Sequence, residues 1–306
     1  MENIKEELGK KIRGLRESKG LSRAEFCDTE AELTVRQLAR IEAGESLPTL
    51  PKLGFISKQL CVPIGQLVDE RHVELPRRYE QLKEKLYKMY TYKEEKLVGK
   101  KENYFLEIYD TYYDKLPEEE QVIIDVQQAV MIIHLTKEAA FGEELLEDYF
   151  SQLLLKKNYS INDLLIINLY FHYIHYKDYD EKTFNYLFDN LVNHIEDYNQ
   201  AELIVLNRVA LTASSIFLEF NYHDRLLDAI DFLNNIIQVS QDFQKKPIVK
   251  MLEGKYWLFS QKNWKKAEDK YRDSIQCAKL FGDKVLSDKL LKEWQDDLER
   301  FRKGEF

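Results

Sequence analysis

Arg36, Gln37 and Arg40 stand close together in LTVRQLARIEAGESLPTL, the stretch from Leu33 to Leu50. An arginine fork pairs with the O6 and N7 of guanine, and a glutamine amide pairs with the N6 and N7 of adenine. Three such side chains on one helix face can read base edges. Val35, Leu38 and Ile41 take the opposite face, so the spacing predicts a helix over Thr34 to Ala43, stopped by Gly44. An ordinary amphipathic helix with a solvated basic face has the same pattern, and the helix alone does not separate the two readings.

Other candidate chemistry is sparse. His172 and His175 lie three apart in YFHYIHY, which can set two imidazoles on one face, but no metalloprotease glutamate falls between them and no third ligand is near in sequence. There is no glycine-rich phosphate loop and no serine elbow. Cys27, Cys61 and Cys277 are far apart in apolar patterns and read as free, buried thiols of a reducing cytosol. The expectation is a chain that is not an enzyme, with no catalytic residue, metal or cofactor. The start, MENIKEELGKKIRGL, has no long apolar run, and no later segment reads as long enough to span a membrane. A cytoplasmic protein without a membrane partner is expected.

The elements that must position the arginines precede and follow them. Ile4, Leu8, Ile12 and Leu15 form the stripe of a first helix over Glu2 to Ser18. Ser22 and Glu25 make a capping box for a short second helix, Arg23 to about Asp28, and Thr29 to Glu32 supply the turn. Thr49 can cap a fourth helix with Pro51 in its first turn, and Ile64 to Val68 close a five-helix head. LSRAEFCD, LTVRQLARIEAGESLPTL and LCVPIGQLV together resemble the phage-repressor (XRE) type of helix-turn-helix. The turn before the recognition helix reads about one residue longer than that pattern. This context favours DNA binding by Arg36, Gln37 and Arg40, with Thr34 at the helix start and Lys10, Lys11, Arg13 and Arg23 as phosphate contacts.

Charge divides along the chain. Residues 1 to 68 carry 11 basic and 10 acidic residues, against 34 and 44 in the remainder, so nucleic-acid contact must be local to the head. An acidic body can also hold a basic helix. Residues 69 to 78, DERHVELPRR, read as a linker, and residues 79 to 306 as a second domain. No proline occurs between Pro117 and Pro247, and no strand-like alternation replaces it, so the chain is expected to be all-α. Aromatic-rich helices joined by short polar turns predict a helical-hairpin solenoid. Ala267, Tyr271 and Ser274 have the spacing of a tetratricopeptide second helix.

A repressor-type head on a tetratricopeptide-like body resembles the Rgg and PlcR class (RRNPP) of peptide-pheromone receptors of Gram-positive bacteria. Together AELTVRQLARIEAGESLPTL, MYTYKEE, YYDKLPEEE, YSINDLLIINLY and DFQKKP are similar to its streptococcal ComR group of competence regulators and their paralogues. The resemblance implies a transcription regulator of quorum sensing whose repeats bind an imported short hydrophobic peptide. It also implies release of the head and a homodimer on near-palindromic double-stranded promoter DNA, with the last helix, Lys284 to Arg302, in the dimer contact. Two recognition helices would then enter major grooves about 34 Å apart. Matching positions for the peptide are Asn207 and Asn168 for its backbone, and Thr91, Lys93 and Lys101 for its charged end. Lys93 stands where a relative has arginine, which leaves a bidentate grip on a carboxylate open.

Glu118, Glu119 and Glu120 are the candidate autoinhibitory latch, one or more of them pairing with Arg36 or Arg40. Glutamates at a helix N-terminus are favourable on their own account, and that reading stays open. Two further alternatives keep the head: a protein-interaction scaffold, and a helix-turn-helix repressor that needs no ligand.

Overall fold

The structure is a computed structural model describing residues 2–67, 75–90, 94–177 and 179–304. It is all-α, with no strand among the described residues. Two compact units divide it, residues 1–170 and 171–306. The division falls inside a helix spanning Ile161–Tyr176. Residues 68–74, and with them Val68 and most of the expected linker 69–78, lie outside the described residues.

The head contains α1 (Glu2–Ser18), α2 (Arg23–Cys27), α3 (Val35–Glu42), α4 (Leu50–Leu60) and α5 (Ile64–Leu67). Leu8, Ile12, Phe26, Leu33, Leu38, Ile41, Leu53 and Ile56 form its core. Gly9 lets α1 lie against α3, since a Cβ there would sit 2.3 Å from the Ile41 carbonyl oxygen. The Ser22–Glu25 capping box starts α2, and a second box, Thr34–Gln37, starts α3. The turn between them places Asp28 and Glu30 at φ +52° and +60°, left-handed conformations that cost non-glycine residues energy. Glu30 offsets part of that cost by accepting the Val35 N–H at 3.0 Å.

The first unit continues through α6 (Arg77–Lys88), α7 (Glu95–Thr111), α8 (Glu118–Thr136), α9 (Glu143–Leu153) and the start of α10 (Ile161–Tyr176). The sequence places the start of α7 only at Tyr104. Its first turns, EKLVGKKEN, carry charges and Gly99 in place of an apolar stripe, yet Lys101, Phe105 and Ile108 are buried.

The second unit holds α11 (Glu181–Asn193), α12 (Gln200–Glu219), α13 (His223–Ser240), α14 (Lys246–Lys255), α15 (Trp264–Leu280) and α16 (Lys284–Lys303). Successive helices α12 and α13, α14 and α15, and α15 and α16 pack on one another as hairpins. Ala267, Tyr271 and Ser274 are fully buried, and the Ser274 hydroxyl donates to the Pro247 carbonyl at 2.6 Å. Correcting one expectation, α12 is long and apolar enough by length and composition to cross a membrane, but 56% of that window is buried inside the protein. A second correction concerns the thiols: Cys27 is buried and Cys277 half-buried, whereas Cys61 caps α4 in an exposed, left-handed position.

Candidate nucleic-acid interface and the contacts that cover it

α3 directs its polar face toward α8 and α9. Arg40 donates from Nη1 to Glu118 Oε1 at 2.7 Å, and the Tyr149 hydroxyl donates to the same oxygen at 2.8 Å. Glu118 is 6% exposed. A carboxylate this deep needs such partners, because an unpaired buried charge is strongly unfavourable. Burial and the Glu118 charge push the Tyr149 phenol up, so it remains a donor at neutral pH. The Glu118 backbone N–H, otherwise unpaired at the start of α8, donates to the Leu47 carbonyl of the head at 3.2 Å. One residue thus satisfies both its helix terminus and its charge through the head.

Arg36 pairs with Asp148 of α9, not with a glutamate of α8. Gln37 is buried. Its Oε1 accepts the Thr34 N–H at 3.1 Å and Lys52 Nζ at 3.0 Å, while its Nε2 donates to Gln152 Oε1 at 3.4 Å. Gln152 in turn donates to the Glu30 carbonyl at 2.9 Å, in the strained turn. Arg36, Gln37 and Arg40, the positions expected to read bases, are therefore all engaged by side chains of α8 and α9. Lys5 adds a bond to the Asp114 carbonyl at 3.0 Å.

The three glutamates separate in role. Glu119 pairs with Lys52 at 3.0 Å and accepts from the Thr49 hydroxyl. Thr49 consequently makes no side-chain cap to α4, contrary to expectation. Glu120 faces away from the head, accepting from Tyr79 at 2.6 Å and Lys83 at 2.7 Å on α6. Helical geometry explains the split: consecutive residues point 100° apart, so the three cannot share one face.

Among the candidate phosphate contacts, Arg23 pairs with Glu42 at 2.8 Å beside Arg16, the two together neutralising a carboxylate whose side chain is fully buried. Lys10 pairs with Glu6 and Arg13 with Glu17 on the exposed surface of α1, and Lys11 is exposed. Next to Arg40 lies a cavity of about 220 Å³ lined by Tyr113, Glu118, Asp125, Asp148 and Tyr149, among others. Tyr109 and Tyr113 donate to Asp125 at 2.8 and 2.5 Å.

The family described as ComR tetratricopeptide matches residues 76–294. The chain belongs to the ComR family. It is similar to ComR from Streptococcus suis, with 40% identity over 95% of each chain and a TM-score of 0.82. The apo form of ComR from S. thermophilus matches at 32% identity over 96% of this chain and 99% of that one, TM-score 0.83. The S. thermophilus ComR in complex with DNA and its signalling peptide ComS matches at 31% identity over 95% and 99%, TM-score 0.67. No curated protein matches the chain.

Of the peptide positions that the ComR resemblance implies, Asn168 on α10 and Lys101 on α7 are buried in the first unit. Asn207 on α12 is buried in the second, and its Oδ1 has no hydrogen-bond partner among the described residues. Thr91 and Lys93 lie outside the described residues. His172 and His175 take separate partners, Thr212 at 3.3 Å and Glu219, and no cluster of three metal-ligating side chains occurs among the described residues.

Sequence reasoning missed Asp148, Tyr149, Gln152 and Lys52. A signal existed for the first three: at i, i+1 and i+4 in LEDYFSQL they form one polar-aromatic edge of α9. Which element that edge meets is a tertiary fact with no local sequence signature.

Proposed function

We propose that the chain is a cytoplasmic, peptide-activated transcription regulator whose head is held from DNA until a short hydrophobic peptide binds its repeats. The observation that carries the reading is the engagement of Arg40 by buried Glu118, beside Arg36 on Asp148, since these arginines are the side chains suited to base edges. ComR-family membership and the greater similarity to an apo ComR than to a DNA complex support it. In this reading Arg36, Gln37, Arg40 and Thr34 bind DNA, with Lys10, Lys11, Arg13 and Arg23 near the backbone. Asn207 and Asn168 receive the peptide backbone, and Thr91, Lys93 and Lys101 its charged terminus. The unpartnered Asn207 Oδ1 supports such a role, because a buried amide oxygen without a donor is costly until a ligand supplies one. Glu118 and Glu119 are latch residues, and Glu120 braces α8 on α6 behind them. Peptide binding leads to a homodimer on a near-palindromic promoter, with residues 1–68 as the DNA-binding domain. No catalysis or cofactor enters.

The test is binding of the purified chain to a labelled near-palindromic promoter fragment, with and without a short hydrophobic peptide ending in tryptophans, with mass followed by light scattering. Conversion of a weak monomeric binder into a tight dimer on DNA is the expected result. Tight binding indifferent to peptide would instead make this a ligand-independent repressor with a scaffold body.

A further inference from the structure

The run DFQKKP opens the most basic stretch of an acidic chain: residues 245 to 270 hold eight lysines against three acidic residues. None of these lysines is used by the reading above. Lys246, Lys250 and Glu253 lie at i, i+4 and i+7 on α14, one face of a helix. Lys250 reaches both Glu253 oxygens, at 3.0 and 2.8 Å, and Lys270 from antiparallel α15 reaches Oε2 at 2.6 Å. Lys246 finds no carboxylate and donates to the Asn234 amide oxygen of α13 at 2.6 Å. Glu253 is therefore the hydrogen-bond acceptor of two of the three ammonium groups, and the third rests on a neutral amide.

The cluster is sheltered. Side chains of Lys250, Glu253 and Lys270 are 21%, 15% and 32% exposed. Burial opposes ionisation of Glu253, but the hydrogen bonds from Lys250 and Lys270 outweigh it and hold the carboxyl below its ordinary range. Burial, and then the neighbouring Lys250, push Lys246 down, with Glu253 and Cys277 acting in the opposite sense. Excess positive charge in a partly desolvated cluster is unfavourable without a counter-ion, and the same arrangement attracts one.

We propose that Lys246, Lys250 and Lys270 form a binding site for an oxyanion, a carboxylate or phosphate group that replaces the missing counter-charge. Three ammonium groups from two helices converge on one region, and each is a compact donor with rotatable N–H bonds suited to either anion. The anion is supplied by a free solute or by an acidic group on a bound peptide.

The experiment is lysine footprinting of the full-length chain. The rate at which each lysine is acetylated by a small amine-reactive ester is read by mass spectrometry, in sodium phosphate and in sodium chloride of equal ionic strength. Phosphate is expected to slow Lys246, Lys250 and Lys270 by at least about threefold relative to exposed Lys58 and Lys265. Glu253→Gln should lower the half-protecting concentration, and Lys246→Gln should abolish protection of the other two. A second arm uses a hydrophobic peptide carrying one glutamate and its glutamine counterpart. Protection by the glutamate peptide alone, without phosphate protection, assigns the anion to the peptide. Protection by neither anion, or equal protection by sodium chloride, overturns the proposal, and the wild-type data decide it even where a variant fails to fold.

Discussion

Arg40 Nη1 and Glu118 Oε1 lie 2.7 Å apart, and the carboxylate is buried while the guanidinium keeps part of its surface. The asymmetry matters for energetics. In the proposed switch, undocking the head would rehydrate Glu118, recovering its desolvation cost, and would free Arg40. A pair of this kind can hold a closed state without making it irreversible. Around it, Asp148 on Arg36, Glu119 on Lys52 and Gln152 on the Glu30 carbonyl widen the contact across three elements of the head.

Tyr149→Phe removes one of the two donors to Glu118 Oε1 while keeping the ring. A lost hydrogen bond to a charged carboxylate, about 1.5–3 kcal/mol, should raise peptide-free DNA affinity by roughly ten- to hundredfold. Fluorescence anisotropy without peptide checks it, and unchanged or weaker binding would show that Tyr149 plays no part in holding the head.

If Arg40 both pairs with Glu118 and reads a base on release, Arg40→Ala should not activate. Loss of a guanine contact predicts about 1–3 kcal/mol weaker binding to the specific site and relaxed preference at one position. Competition with random DNA separates this from a phosphate contact, which would weaken both equally.

Asn207→Ala should weaken peptide binding by about 1–2 kcal/mol, on the order of tenfold, through loss of a buried hydrogen-bonding amide. Calorimetric titration with peptide measures it. Peptide-free DNA binding should not change, and a parallel loss there would place Asn207 in the stability of α12 instead of in the ligand site.

Asp125 carries a pH signature. Burial raises its pKa, and the hydrogen bonds from Tyr113 and Tyr109 only partly oppose that. The folded carboxyl then holds its proton more tightly than the unfolded one. Its contribution to stability is full below the ordinary carboxylate pKa and is lost as pH rises through the raised value. Asp125→Asn removes that loss, so its Tm relative to wild type should be higher at pH 7 than at pH about 4. Equal differences at both pH values in scanning calorimetry would contradict the burial argument.

Helix content was legible because periodicity and caps are local. The Ser22–Glu25 box, the Ile161–Tyr176 helix and the Gly44 stop depend only on neighbours in sequence. Glu118 could be named because an acidic run after Pro117 is conspicuous beside a basic recognition helix. Asp148 could not, since one aspartate in LEDYFSQL looks like any solvated helix position until α9 is seen against α3. Thr49 misled for the opposite reason: its local role as a cap was available, and a tertiary partner, Glu119, took its hydroxyl. Lys101, expected to meet the peptide's charged end, lies buried on α7.

The most direct measurement is the affinity of Glu118→Lys for a near-palindromic promoter fragment in the absence of peptide. Charge reversal sets a lysine against Arg40 and leaves Arg36, Gln37 and Arg40 themselves unchanged. If Glu118 holds the head closed, the variant should bind without peptide as tightly as the wild type does with it, and added peptide should change little. A variant that stays a weak binder until peptide is added would show that the Arg40–Glu118 pair is incidental to control of the head.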